Sequence, residues 1–510
     1  MTVRSLLLVL ACLAAWPLAH AAEPLPLLTQ AGPWTYAARP IGYDGRLWFA
    51  NANRWPDHNS ADIWSVRPDG GDLRRERRLF SQDAGEPVVH GGLLYWPLED
   101  PRVSLGWGQI AVTDGKRWSM LETRTGRQFH LHGLFADGDE LLAAGSSWVA
   151  QVLRSPDGGV TWSTFYEDER RESRLSRTHQ LVPLPSGLFG DRMSFSDGER
   201  RFTMLRHENW GATPLPDWPD DGWVRRAVPW RGGGLALTGS GPGQHLRVFG
   251  ADAAVSDLPD RVIGIDIDAD GDGTVCLLGK RQPRLHEIWR LSGDTWELAF
   301  EFVADEAVEL RLIGGAPVVA GTLEGVGAVW GRPGVIPTAR TGTLPRQIRE
   351  QRPDRDAALE EIRRALDDPD SYRGHGLILR NLLDRWIVRG LPGTELEPLL
   401  DGPFPAGEVR LIGGRNNAGY PRFGRWVLTW AMRRSGTGRV PASWIGQAFD
   451  EEQNASEKYF SEPLAAILTA GANGQDDGET AAALRERLTR TTDPDWLRAD
   501  AEEALRRLQE

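Results

Sequence analysis

The chain carries three sets of residues whose types and spacing can do chemistry. The first is Asp266-Ile267-Asp268-Ala269-Asp270-Gly271-Asp272. Carboxylates at alternate positions with a Gly at the bend are the pattern of a calcium loop. Asp266, Asp268, Asp270 and Asp272 are therefore the candidate calcium ligands. The position of the closing bidentate Glu is Leu277, which departs from an EF-hand. A plain turn between two strands wants the same Asp and Gly residues, and both readings stand, the turn being the simpler. The second set is His130-Leu131-His132, which puts two imidazoles on one face of a strand without an identifiable third ligand. The third is a set of loop residues: Trp55, Trp107 and Trp148, with His245 and His286 in comparable later places. Trp beside Asn, Asp and His can stack on sugar rings or on apolar peptide side chains. Hydrolysis of a glycan would need two converging carboxylates, and the loops offer Asp57, Glu99, Asp100 and Glu287.

These residues must be positioned by short strands. Between residues 30 and 340 no long helical pattern occurs, only alternating strands separated by Gly, Asp and Pro turns. A Gly turn followed by an apolar strand recurs from Asp44-Gly45-Arg46-Leu47-Trp48 to Gly314-Gly315-Ala316-Pro317-Val318, at spacings of 38 to 49 residues. That is the length of a four-stranded propeller blade. A second turn follows in most units: Pro68-Asp69-Gly70, Thr113-Asp114-Gly115, Ser196-Asp197-Gly198 and Ser292-Gly293-Asp294. Seven units predict seven blades, with six as the alternative. The last unit lacks a clear fourth strand, and Leu25–Gln30 is the segment expected to supply it.

One copy of the second turn is complete: Ser155-Pro156-Asp157-Gly158-Gly159-Val160-Thr161-Trp162. Pro sets φ, Asp caps nearby amides, Gly accepts positive φ, and Thr161 and Trp162 return to a strand. This stretch resembles the Asp-box of sialidase-like β-propellers, with Ser155, Asp157, Gly159, Thr161 and Trp162 as its structural residues. The resemblance implies a propeller. For a sialidase it also implies an arginine triad, an Asp acid/base and a late Tyr nucleophile paired with Glu. No Tyr occurs between Tyr166 and Tyr372, and Arg39-Pro40-Ile41 only permutes the letters of the family's Arg-Ile-Pro motif. Standard sialidase chemistry is thus not expected.

The remaining sequence bounds compartment and partners. Residues 1–22 read as a signal peptide: Arg4, an apolar run from Leu6 to Trp16, then Ala19-His20-Ala21. The run is too short to span a membrane. Removing it leaves one cysteine, Cys276, so no intrachain disulfide can form. A periplasmic or secreted protein of a Gram-negative bacterium is expected. A net charge of −12 argues against a nucleic-acid partner. From residue 338 the pattern changes. Residues 338–355 read as a linker, and 356–510 as helices: Ala357–Leu366, Gly376–Val388, Arg422–Arg434, Trp444–Glu452, Ser461–Thr469, Glu479–Arg490 and Trp496–Gln509. D-P-D-x-x-R segments at Asp368 and Asp493 echo each other, and the second continues Ala501-x-x-Ala504-Leu505, which resembles the second helix of a HEAT-type repeat and implies a small α-solenoid or an irregular helical bundle. The expected protein is a propeller, 23–337, followed by a helical domain. It would bind a protein or a glycan through the propeller's face loops, with glycan hydrolysis as the alternative.

Overall fold

The computed structural model describes residues 22–489 apart from 32–35, 53–60, 80, 102–107, 125–129, 147–148, 169–173, 197–198, 209–210, 217, 219–221, 252, 271–272, 339–341, 346–354, 373–377, 380–381, 384–385, 388–390, 411–416, 436 and 443–477. Beyond them it describes Arg498, Ala501, Glu502 and Leu505. From residue 23 to 331 the chain is a β-propeller built of successive antiparallel strand groups. Group I runs Tyr36–Tyr43, Arg46–Ala52, Ala61–Val66 and Arg74–Leu79. Group II has an inner strand in two pieces, Ser81–Ala84 and Val88–His90, then Leu93–Pro101, Gln109–Thr113 and Trp118–Glu122. Group III is His130–Asp137, Glu140–Ser146, Ala150–Ser155 and Ser163–Glu167. Group IV again has a divided inner strand, Arg174–Arg177 and Leu181–Leu184, followed by Gly187–Ser196, Glu199–Glu208 and Gly211–Pro214. Group V has three strands, Val224–Trp230, Gly233–Thr238 and His245–Phe249. Group VI is Ile263–Ala269, Val275–Lys280, Leu285–Ser292 and Thr295–Val303. Group VII is Glu306–Ile313, Ala316–Leu323 and Val326–Gly331.

The chain's beginning closes the ring. Leu27–Ala31 pairs antiparallel with Val326–Gly331 as the outer strand of group VII. Just before it, Glu23–Pro24 pairs in parallel with the outer strand of group VI. Leu25 lies between the two groups, packed with Cys276, Ile288, Phe302 and Trp330. The expected closure by Leu25–Gln30 is therefore found. It covers an edge strand that would otherwise present unpaired amides.

The cores lie between neighbouring groups, as alternation demands. Trp48, Ile63, Leu79, Leu94 and Trp96 fill the seam from I to II, and Val228, Leu235, Leu237, Val275 and Leu277 that from V to VI. First-to-second-strand turns are tight and glycine-dependent. Gly92 and Gly315 have φ of 76° and 75°, a region L side chains avoid. In an antiparallel meander these turns and the third-to-fourth-strand turns share one face. The connections between groups emerge on the other.

After Gly331 the chain straps three groups on the turn face. Gly334 N–H donates to Ile313 O, Gly45 N–H donates to Pro337 O, and Ser119 Oγ donates to Pro345 O. Beyond it, one hydrophobic cluster joins α1 (Arg355–Asp367), the 3-10 turn Gly393–Leu399, α2 (Tyr420–Ser435) and α3 (Gly478–Leu488). Three expected helices are thus present with ends shifted by one to two residues. The described residues of 376–388 and 496–509 include helical ones, whereas 444–452 and 461–469 lie outside the described residues. Asp368-Pro369-Asp370 opens only a 3-10 turn, Pro369–Tyr372. A two-stranded hairpin, Glu408–Arg410 with Asn417–Gly419, interrupts the region read as helical.

Candidate functional site

The inner strands do not run evenly along the central channel. Their pairing with the second strand shifts register between Ala38 and Ile41, Leu131 and Gly133, Val224 and Arg226, Gly264 and Asp266, and Ala307 and Glu309. The divided inner strands of groups II and IV break at the same level, around Glu86 and around His179-Gln180. Each bulge re-aims a side chain. Arg39, Glu86, His132, His179, Arg225, Arg226, Asp266, Asp268 and Glu309 thereby line a cavity of about 620 Å³. Arg39 reaches it from a left-handed backbone, φ 58°, a conformation that is strained for Arg.

Polar side chains here also stitch the groups together, because an inner strand is an edge with unspent backbone groups. Gln180 accepts from Ala227 N–H and donates to Arg225 O, joining IV to V. Gln244 bonds both backbone groups of Gly264, joining V to VI. Asp266 and Asp268 accept from Leu310 and Leu312 N–H at 2.8 and 2.7 Å, joining VI to VII. Glu309 accepts from Arg39 N–H at 2.6 Å, joining VII to I.

At the channel's centre the charges form one lattice. Arg226 grips Glu86 with two parallel hydrogen bonds of 3.1 Å each. Arg311 Nη2 donates to both Glu86 oxygens at 2.7 and 2.6 Å, and also bonds Glu309. Arg39 Nη1 lies 3.2 Å from Glu309 and 3.8 Å from Glu86. Burial opposes ionisation of Glu86, but Arg226, Arg311 and Arg39 outweigh it and hold its carboxyl well below the usual range. Glu309 is likewise lowered against burial, by Arg311 and Arg39. Asp266 goes the other way. Burial and Glu309 push it up to about 7, despite Arg226 and Arg311.

A second constellation lines the same cavity. His132 Nδ1 is 3.4 Å from Glu99, and its ring lies 4.5 Å from that of His179. His179 Nδ1 meets Asp191 at 3.1 Å, while Asp191 also accepts from the backbone of His179 and Gln180. Burial holds the His132 imidazolium down, to about 4, so the ring is neutral at pH 7. The pair expected on one face, His130 and His132, is stacked with centroids 6.0 Å apart. Among the described residues no group of three His, Cys, Asp or Glu side chains is arranged to hold a metal ion.

The residues singled out in the sequence fall in four places. Ser155–Trp162 forms a self-contained turn. Ser155 Oγ accepts from Gly159 N–H and donates to Asp157, Asp157 accepts from the N–H and hydroxyl of Thr161, and Trp162 Nε1 donates to Gly159 O. It stands away from the cavity. The described residues of the acidic segment have separate partners. Asp266 and Asp268 cap the neighbouring strand, Asp270 accepts from Thr274 N–H within its own turn, and Asp272 lies outside the described residues. Trp55, Trp107 and Trp148, with Asp57, also lie outside them. His245 is exposed at the start of a third strand, whereas His286 is buried, accepting from Ala307 N–H and stacked on Phe302. Glu287 is buried, receiving Arg281 and the Trp289 indole. Cys276 is buried, its thiol pushed up to about 11 by that burial.

Sequence reasoning missed the channel residues Arg39, Glu86, His179, Arg226, Glu309 and Arg311. A signal existed: a polar residue recurs in each inner strand at the blade period.

No protein-family model matches the chain, and no curated protein sequence does. Solved propellers are similar to it at low identity. The WD40 β-propeller domain of Doa1 is 13% identical, over 60% of this chain and 96% of that one, with a TM-score of 0.39. YCF48 bound to a D1 peptide is 14% identical, over 61% and 99%, with a TM-score of 0.39. The β-propeller domain of the trilobed protease of Pyrococcus furiosus is 10% identical, over 61% and 97%, with a TM-score of 0.38.

Proposed function

We propose that this chain is an exported binding or scaffolding module, a seven-bladed Asp-box propeller of residues 23–337. In this reading a linker, 338–355, joins it to a HEAT-like helical domain, 356–510, and the mature protein works in the periplasm or outside the cell. Its ligand, a protein or a glycan, is recognised by the face where the blades connect to one another.

One observation carries the reading. Four of the large apolar side chains that stay exposed, Leu175, Trp223, Ile263 and Val303, lie on that face, at the beginnings of first strands or the end of a fourth, while Leu27, Val89 and Val335 are exposed elsewhere on the propeller. Trp223 and Val303 are 48% and 53% exposed. Trp223 sits at the rim of the cavity, stacked on Phe202 at 6.1 Å with the Arg225 guanidinium 5.0 Å from its ring. A half-exposed aromatic ring suits both a sugar and an apolar peptide side chain. By contrast, the charges deeper in the cavity are spent on one another. Among the described residues no helix is long and apolar enough to cross a membrane.

The test is a screen of the purified chain on arrays of extended peptides and of oligosaccharides, beside Trp223→Ala and Val303→Ser. The parent is expected to retain one probe class, and Trp223→Ala to lose about tenfold in affinity, on the order of 1.4 kcal/mol. Parent and variants binding alike, or not at all, would sink the reading.

Asp266 favours one rival, glycan hydrolysis, because a carboxyl with a pKa of about 7 can hold a proton for a leaving group. Its test is turnover of fluorogenic glycosides that vanishes in Asp266→Asn.

A further inference from the structure

We propose that the outer edge of group V is a docking site for an extended, carboxylate-bearing segment of a partner protein, which pairs with His245–Phe249 as the fourth strand this group lacks. Among the described residues no strand pairs with the outer side of His245–Phe249, whereas each of the other six groups has a fourth strand. The segment that should supply it is drawn elsewhere. After Gly250, whose φ is 72°, the chain leaves the edge, and Ala253, Val255 and Leu258 pack into the seam between groups V and VI. Ser256 Oγ donates to Asp294 O and the Trp296 indole donates to Asp257 O, tying the segment to the outer hairpin of group VI. Among the described residues none of its backbone groups bonds to His245–Phe249. Every second residue of that strand thus turns its amide and carbonyl outward.

Three other groups blunt their outer strands, as open edges require. Arg74–Leu79 is charged at five of its six residues. Gly211–Pro214 has only four residues and ends in proline. Thr295–Val303 is covered in part by Glu23–Pro24. His245–Phe249 has one permanent charge, Arg247, at its centre.

That charge defines the occupant. Side chains alternate along the strand. Leu246 and Val248 pack toward group VI, and Phe249 toward group IV, against Trp218. Arg247 shares the face of Phe249. Its Nε is buried without an acceptor, as is the Trp218 indole N–H. Among the described residues no carboxylate pairs with Arg247. Buried donors without acceptors are costly, so both point to a missing partner. On an added strand, the residue opposite Arg247 puts its side chain on the same face. An acidic residue there meets the guanidinium, and aliphatic neighbours on either side cover Leu246 and Val248. A second copy of this chain, pairing antiparallel about Arg247, would set two guanidinium groups opposite each other, which disfavours it. The site lies on the outer wall of the propeller and stands whether or not the connection face binds a ligand.

The test is hydrogen exchange and titration of the full-length chain with short capped peptides in which valine and threonine alternate around a central glutamate, glutamine or lysine. In the free chain, alternate amides of His245–Phe249 are expected to exchange faster than those of Glu199–Glu208, a third strand paired on both sides. The glutamate peptide is expected to bind and to slow those amides, and to lose about tenfold in affinity with lysine at its centre. Its backbone N-methylated form is expected not to bind. Arg247→Gln is expected to melt with the parent and to bind the glutamate and glutamine peptides alike. If that variant does not fold, the glutamate–lysine difference on the parent decides alone. Protection of the edge amides in the free chain, by its own residues or by a second copy at higher concentration, overturns the proposal. So does the absence of peptide binding, equal binding of the glutamate and lysine peptides, or binding that leaves these amides exchanging as before.

Discussion

The Ser155–Trp162 turn and the channel lattice are both closed polar networks, and they are built in opposite ways. The turn takes all its partners from eight consecutive residues, so its sequence is its structure. Five hydrogen bonds close within it, and the fold outside adds little beyond the Tyr95 hydroxyl on Gly158 O. The lattice takes Arg39, Glu86, Arg226, Asp266, Glu309 and Arg311 from groups I, II, V, VI and VII. The pairs between distant groups, Arg226 and Arg311 with Glu86 and Arg39 with Glu309, exist only once the ring has closed. A local network forms early and tolerates its surroundings. A distributed one reports on the whole ring and fails with it.

The largest expected effect is therefore in the lattice. Arg311→Met removes a guanidinium facing Glu86, Glu309 and Asp266 and leaves carboxylates buried with too few partners. Breaking such a set costs about 3–5 kcal/mol. Denaturant unfolding of the variant measures it. A loss below about 1 kcal/mol would place the lattice with ordinary surface ion pairs.

The turn is expected to yield less. Asp157→Ala removes one exposed carboxylate and its bonds to Thr161 and Ser155. The freed amides can turn to water, so the cost is about 1 kcal/mol. The same denaturant experiment checks it. A loss as large as that of Arg311→Met would erase the distinction between the two networks.

This difference also accounts for what could be read in the sequence. Blade period, Gly turns, the complete Asp-type turn and the closing strand near Leu27 are local or periodic, and they were legible. The hairpin at Glu408–Arg410 was not, because its strands of three residues are too short to show an alternating pattern between the helices read on either side. The channel site was hidden for another reason. Its members are one or two residues per inner strand, aimed inward by bulges that no composition signals. Asp266-x-Asp268-x-Asp270 suits a turn and a metal loop equally as a sequence, because both want carboxylates and Gly together. In the fold Asp266 and Asp268 accept from backbone amides of group VII and Asp270 from an amide of its own turn.

A smaller effect separates the members of the lattice by pH. Asp266 faces Arg226, Arg311, Glu309 and the Leu310 amide, and its folded pKa of about 7 exceeds the ordinary 3.8. Between about pH 4 and pH 7 the folded chain thus holds a proton the unfolded chain has released. Stability falls as pH rises through that window, and the loss is complete above it. Glu86 and Glu309 are depressed, so their contribution is present above about pH 4.5 and lost as pH falls below it. Asp266→Asn is expected to flatten the fall toward neutral pH and to keep the acid limb. Melting temperatures measured across pH 3–8 check this. An unchanged neutral limb would reassign the proton to Asp83, which burial raises to about 6.

The smallest expected effect is a coupling near zero. Arg311→Met and Asp157→Ala share no partner, one acting in the channel and the other in a turn at the outer half of group III. If the turn is closed on itself, it does not sense whether the ring is electrostatically locked. The two losses then add to within about 0.5 kcal/mol in a double-mutant cycle. The matching cycle inside the lattice, Arg311→Met with Glu86→Gln, should depart from additivity by more than that. Once the Arg311 guanidinium is gone, neutralising Glu86 removes a charge that Arg226 alone still holds at hydrogen-bond distance, instead of one shared by two guanidinium groups. Additivity in both cycles would mean that the lattice is a set of independent pairs. Non-additivity in the first would mean that the turn and the channel move as one unit, and that the locality read from eight consecutive residues is only apparent.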